Sequence, residues 1–352
     1  MPELSSFQIA GREIGAGAPV FVIAEMSANH HQEIDRAYRI IDAAAQAGAD
    51  AVKLQTYRPD TITIDCDRDY FRIGDGSRWS GRTLHELYES AYTPWAWHAP
   101  LKEYVEDRGL VFLSTPFDTT AVDLLSDLDV PAYKVASFEI VDIPLIAEMA
   151  RRDKPMIMST GMARLDEIDR AVRAVRSAGN DRLVLLKCTS AYPAPADEAN
   201  LATIPHLADS FGVPTGLSDH TLGVGVPAAA VALGASVVEK HLTLSRDDEG
   251  PDSAFSLEPK EFERMVDAVR RAEASVGDVQ YGVTKRQEGS RQLRRSLFVV
   301  RDVAAGDEFT EENIRSIRPG DGLSPRMLPE ILGRRARRDI ERGTPMGWDL
   351  VG

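Results

Sequence analysis

The chain has 352 residues, long enough for a main body plus a smaller module, and its 55 Asp and Glu against 41 Lys and Arg leave a formal net charge of −14. That balance disfavours nonspecific nucleic-acid binding, so an anionic ligand would need local positive charge. Two cysteines, Cys66 and Cys188, are too few for a secreted disulfide framework, no apolar run is long enough to span a membrane, and the first residues lack a signal-peptide pattern, so reduced thiols and a cytoplasmic location are expected.

Eight short apolar runs follow in chain order: Val20–Met26, Ala51–Gln55, Val111–Thr115, Ala132–Ser137, Pro155–Thr160, Leu183–Ser190, Pro214–His220 and Ser236–Thr243. Between them lie helix-length amphipathic stretches such as Glu33–Gly48, with apolar residues at helical spacing. Strands alternating with helices predict a parallel sheet, and eight such units predict a closed (β/α)8 TIM barrel. An open dinucleotide-binding sheet is excluded because Met26-Ser-Ala-Asn-His30, not a Gly-x-Gly-x-x-Gly turn, follows the first run. The barrel is expected over 1–282 and a polar linker without apolar period over 283–295. A compact module of short strands, turns and one brief helix is expected over 296–352.

Nearly every run ends in a polar residue, which places a site at one rim. Lys53, Lys134 and Lys240 fall near that rim, with Lys187 deeper, and suit phosphate or carboxylate binding or carbonyl chemistry. Thr115, Ser137, Ser159, Ser190 and Ser218 end five different runs. Together they form a cradle for a small phosphorylated acid, although each taken singly could cap the following helix. His220 and His241 end neighbouring strands and, with Glu25 or Asp252, suit a divalent metal. Glu25 and Glu139 are candidates for general acid or base, or for structural partners of the lysines. His30, His31, His85, His98 and His206 are expected in surface or helix-capping roles, and the four tryptophans in packing.

The strings Ala24-Glu25-Met-Ser-Ala-Asn29-His30, Val52-Lys53-Leu-Gln55-Thr-Tyr57, Ser114-Thr115-Pro116-Phe117-Asp118, Tyr133-Lys134-Val-Ala-Ser137-Phe-Glu139, Ser159-Thr160-Gly161-Met162, Gly216-Leu-Ser218-Asp219-His220-Thr221 and Glu239-Lys240-His241 resemble the sialic acid synthase family over nearly the whole chain. Arg295-Ser296-Leu297 and Arg318-Pro319-Gly320 resemble that family's antifreeze-like (SAF) domain. Gln55-Thr-Tyr-Arg-Pro59-Asp60-Thr61, Thr93-Pro94-Trp95-Ala-Trp97-His98 and Asp118 are most similar to its pseudaminic acid branch.

The resemblance implies condensation of phosphoenolpyruvate with an open-chain acetamido sugar, giving a nine-carbon 2-keto acid and phosphate. Sialic and legionaminic acid synthesis share the machinery, and a metal-dependent pyruvate aldolase is the alternative of another class. By similarity, Lys53, Thr115, Lys134, Ser137, Ser159, Ser190 and Ser218 would hold phosphoenolpyruvate. Gln55, Glu139, Tyr192 and Asp252 would contact the sugar, and Glu25 would serve either the aldehyde oxygen or the attacking water. His220 and His241 would hold manganese or magnesium, with cobalt possible. A homodimer is also implied, in which the small domain lies over the partner's barrel and contributes Arg318. The long stretch from Thr56 to Tyr92 is expected to join the sugar pocket.

Overall fold

The structure is a computed structural model and describes residues 6–15, 17–74, 79–248 and 250–352. The chain divides by its internal contacts into two units, Met1–Gly277 and Asp278–Gly352.

Among the described residues of the first unit, eight parallel strands close into a barrel: β1 (Phe21–Glu25), β2 (Ala51–Thr56), β3 (Val111–Pro116), β4 (Tyr133–Val135), β5 (Met156–Ser159), β6 (Leu183–Cys188), β7 (Thr215–Asp219) and β8 (Val237–His241). β8 pairs with β1 and completes the ring. The run from Pro214, Gly-containing and short, is a full strand here. Its Gly216 has no space for a side chain, because an added Cβ would meet the backbone of Val237 on β8.

Side chains alternate across a strand, and this alternation builds both the core and the site. One set, including Phe21, Ile23, Ala51, Val111, Leu113, Ala132, Ile157, Val184, Leu186 and Val237, packs together as one buried cluster inside the barrel. Continued two residues at a time, the same faces reach Glu25, Lys53, Gln55, Thr115, Lys134, Ser159, Cys188, Glu239 and His241 at the C-terminal ends. The opposite faces, with Val22, Val52, Leu54, Phe112 and Val238, pack against the surrounding helices. In α1 (Ile34–Gln46), for example, Ala37, Ile40, Ile41 and Ala44 form the buried stripe.

A hairpin not anticipated from sequence, Phe7–Ile9 with Arg12–Ile14, adds Ile9 and Ile14 to the inner cluster. Its two-residue turn, Ala10-Gly11, has positive φ at both positions (49° and 77°), and Ala-Gly is a weak turn signal.

In the second unit, β9 (Ser296–Val299) pairs antiparallel with β10 (Ile314–Ile317), and Leu297, Val299, Val303, Phe309, Ile314 and Ile331 form its own core. A 3-10 turn at Pro325–Met327 and one helical turn at Leu328–Ile331 stand where the brief helix was expected. The expected linker carries a 3-10 turn at Lys285–Gln287 and a helical turn at Glu288–Arg291. Among the described residues no helix is long and apolar enough to cross a membrane.

Candidate active site

The strand ends open into a cavity of about 570 Å3. Adjacent registers place Glu25 beside Lys53 and His241, Gln55 beside Thr115, and Glu239 beside Ser218. Lys53 is the hub of the polar floor: its Nζ lies 2.6 Å from Glu25 Oε2 and 3.7 Å from Glu239 Oε1, and donates to Thr115 Oγ1 at 3.1 Å. Lys134 Nζ donates to Ser159 Oγ at 2.7 Å and lies 3.9 Å from Glu239 Oε1. Gln55 Nε2 donates to Glu25 Oε1 at 3.2 Å.

These charges are all buried, and their proton affinities follow from that. Burial pushes the Glu25 carboxyl up against the pull of Lys53, to about 7. Glu239 is also raised by burial, but Lys134 and Lys53 outweigh it and hold the carboxyl below its usual range. For Lys53, burial would favour the neutral amine, yet Glu239 and Glu25 outweigh it and keep the ammonium. Lys134 is lowered, chiefly by burial.

Four of the five strand-end hydroxyls, those of Thr115, Ser137, Ser159 and Ser218, line the cavity and are not used as helix caps. Thr115 and Ser159 serve the two lysines, Ser218 Oγ donates to Glu239 Oε1 at 3.4 Å, and Ser137 Oγ accepts from Gly161 N at 3.2 Å. Capping falls to other residues, such as Asp118 and Asp142.

His220 and His241 face each other with ring centroids 5.3 Å apart, beside Phe255. His220 Nδ1 lies 3.0 Å from the Thr189 carbonyl, so in the neutral ring Nδ1 carries the hydrogen and Nε2 keeps its lone pair. His241 Nδ1 is buried without a hydrogen-bond partner. Two imidazoles so placed fit a divalent transition metal that takes its other ligands from water and substrate. Among the described residues no group of three or more His, Cys, Asp or Glu gathers around one metal position. The acids considered as third ligands are engaged elsewhere, Glu25 with Lys53 and Asp252 with Ser27 Oγ.

The cavity brings together Glu25, Lys53, Gln55, Thr115, Lys134, Ser137, Glu139, Ser159, Tyr192, Ser218, His220, His241 and Asp252. Ser190 is not in its lining; its Oγ lies 3.8 Å from Cys188 Sγ. Arg318 is an exposed residue of the second unit, directly after β10. Lys240 is also absent from the rim. It shares the outward face of β8 with Val238 and forms a buried ion pair with Asp219 at 2.5 Å, so alternation, not position near the strand end, decides its role. Replacing Lys240 by methionine would leave Asp219 buried and unpaired, and urea unfolding is expected to show a loss of about 3 kcal/mol. Lys187 donates to the Cys188 carbonyl at 2.6 Å and stays outside the cavity.

Several site features escape the sequence reading. Glu239 lies between both lysines, and its two-residue spacing from His241 was the available signal. Cys188 and Ser27 also line the cavity. Ser27 has a left-handed backbone (φ 47°) and is 2 % exposed, a conformation its donation to Asp252 helps to hold. Trp79 lines the cavity as well. His30 and His98, expected in surface or capping roles, are fully buried, against Thr93 Oγ1 at 3.1 Å and Thr56 Oγ1 at 2.7 Å, and burial lowers both to about 4.

Glu139 Oε2 is buried without a hydrogen-bond partner, and burial raises its carboxyl to about 7. The folded chain therefore favours the protonated form, and stability is lost as pH rises from the usual 4.5 through 7. Glu139→Gln should remove that decline, so urea unfolding at low and high pH should show the variant gaining on the wild type by about 2 kcal/mol at the higher pH.

A buried polar floor of this kind at the C-terminal rim of a parallel barrel is the arrangement of an enzyme active site. The chain belongs to the NeuB family, whose model matches residues 40–281; residues 294–351 match the SAF domain. It is 44% identical to a pseudaminic acid synthase of Campylobacter jejuni over 92% of this chain and 94% of that protein. It is 42% identical to the pseudaminic acid synthase of Helicobacter pylori over 95% and 98% of the two chains. The crystal structure of the spore coat polysaccharide biosynthesis protein spsE from Bacillus subtilis superposes with a TM-score of 0.67 at 37% identity, over 99% of both chains.

Proposed function

We propose that this enzyme condenses phosphoenolpyruvate with 2,4-diacetamido-2,4,6-trideoxy-L-altrose, giving a nine-carbon 2-keto acid and phosphate. The observation that carries the reading is the buried floor of Lys53 and Lys134 with Glu239 between them, lined by hydroxyls. An enol phosphate presents a phosphate and a carboxylate, and two ammonium groups with Thr115, Ser137, Ser159 and Ser218 offer both charge and directed hydrogen bonds to them.

In the reaction, C3 of the enol phosphate bonds to the aldehyde carbon, and the aldehyde oxygen takes up a proton. Water then adds at C2, and the tetrahedral centre expels phosphate by breaking the carbon–oxygen bond. Glu25, with its carboxyl near 7, is the group suited to hold or give a proton at neutral pH, and Gln55 fixes one of its oxygens at 3.2 Å. A phosphate bound beside Glu25 adds negative charge and favours its protonated form, which suits donation to the aldehyde oxygen. Glu139, Tyr192 and Asp252, which line the cavity, would contact the sugar.

His220 and His241 would hold a divalent ion, manganese or magnesium with cobalt as an alternative, which when bound supplies Lewis-acid polarisation of the aldehyde. The assembly we favour is a homodimer in which Arg318 of one protomer, exposed in its second unit, serves the partner's site. The location we favour is the cytoplasm. The legionaminic and sialic acid synthesis readings use the same floor and differ in the sugar.

A heavy-oxygen label in the bridging position of phosphoenolpyruvate tests the bond that breaks. The label is expected in the released phosphate; its retention in the keto acid would contradict the mechanism.

A further inference from the structure

The cavity lining includes a set of apolar side chains that the chemistry above does not use. After β2 the chain makes an excursion before returning to β3, and within it Leu84–Ala91 forms a two-turn helix, α2. Thr83 starts this helix: its Oγ1 accepts from Glu86 N at 3.2 Å while Glu86 Oε2 accepts from Thr83 N at 2.8 Å, a reciprocal cap that fixes which face turns inward. Leu84, Leu87 and Ala91, three and four residues apart, share that face. Together with Ile62, Ile73 and Phe117 they line the cavity. In an ordinary amphipathic helix such a stripe would be sealed in the core; Leu84 and Ala91 instead remain partly accessible at the cavity wall. The hydroxyl-bearing side chains in this region are Tyr57 and Tyr88, whose rings meet edge-on at 5.6 Å.

Condensation fixes the sugar's direction. Its aldehyde carbon must meet the enol phosphate at the strand ends, where Glu25, Lys53 and the imidazoles stand, so the carbon farthest from the aldehyde extends away from that floor. We propose that the apolar wall of Leu84, Leu87, Ala91, Ile62, Ile73 and Phe117 receives the C6 methyl of a 6-deoxy sugar and discriminates against sugars bearing a hydroxyl there. The inference rests on the reading of the cavity as a phosphoenolpyruvate–sugar condensing site. The six hydrocarbon side chains of this wall give a C6 hydroxyl seated against them no hydrogen-bond partner to replace lost water, whereas a methyl loses nothing by leaving water. Selection by an apolar surface is moderate in size, roughly 10- to 100-fold in kcat/KM.

The test compares the 6-deoxy diacetamido sugar with its 6-hydroxy counterpart as partners for phosphoenolpyruvate, following phosphate release. The wild type is expected to favour the 6-deoxy sugar by about 10- to 100-fold in kcat/KM. Leu84→Ser and, independently, Ile62→Ser should bring that ratio several-fold closer to unity without changing the KM for phosphoenolpyruvate, while Leu84→Met keeps it. Equal use of the two sugars by the wild type, or an unchanged ratio in both serine variants, would overturn the proposal. Absence of phosphate release with either sugar would instead sink the underlying condensation reading, and this inference with it.

Discussion

Lys53→Met is expected to lower kcat/KM for phosphoenolpyruvate by about three orders of magnitude. The substitution keeps much of the apolar stem but removes an ammonium that lies 2.6 Å from Glu25, 3.7 Å from Glu239 and 3.1 Å from Thr115. Truncating one partner of a buried charge pair with a bound anion costs about 2–5 kcal/mol of binding, and each 1.36 kcal/mol off the barrier is tenfold in rate. The loss has two sources. The anionic substrate loses a direct contact, and Glu239, deprived of a cation that holds its proton affinity down, becomes easier to protonate. Thr115→Val removes one hydrogen bond only and is expected to cost about tenfold. Steady-state kinetics of phosphate release measure both, and comparable losses in the two variants would show that Lys53 is not the hub.

His220→Ala is expected to abolish turnover that depends on a divalent ion while the fold survives. The ring lies against Tyr192 at 4.5 Å, His241 at 5.3 Å and Phe255 at 6.1 Å, so its loss leaves a small cavity costing about 1–3 kcal/mol. Circular dichroism should therefore stay native at ambient temperature. The binding of manganese, followed directly by electron paramagnetic resonance, should weaken markedly, since one of the two proposed imidazole ligands is gone. Chelation of the wild type should likewise remove activity, with manganese, magnesium or cobalt restoring it. Full activity and unchanged ion binding in His220→Ala would refute the metal assignment.

The strands and the polar mouth were legible in the sequence because strands buried on both faces read as continuous apolar runs and nearly every run ends in a polar residue. Alternation along each run decides which end residues face inward. Phe21 and Ile23 precede Glu25 on one face, and Ala51 precedes Lys53 and Gln55. The same alternation separates Lys240 from Glu239 and His241, so the error over Lys240 came from treating closeness to the strand end as sufficient. Glu239 was hidden by chemistry, not by pattern: an acid beside an anion cradle looks unfavourable until two lysines are seen to share it. The apolar wall was hidden in the opposite way. Leu84 and Leu87 have the spacing of ordinary core residues, and only the cavity shows which surface they face. Buried His30 and His98 depend on partners distant in sequence, Thr93 and Thr56, which local periodicity does not encode.

The most direct test of the central claim is to supply the enzyme with the diacetamido sugar and either phosphoenolpyruvate or pyruvate, measuring phosphate and keto acid together. The lysine floor predicts turnover with phosphoenolpyruvate alone, with phosphate appearing in step with sugar consumed. Product formed from pyruvate without phosphate release would contradict it and make the enzyme an aldolase.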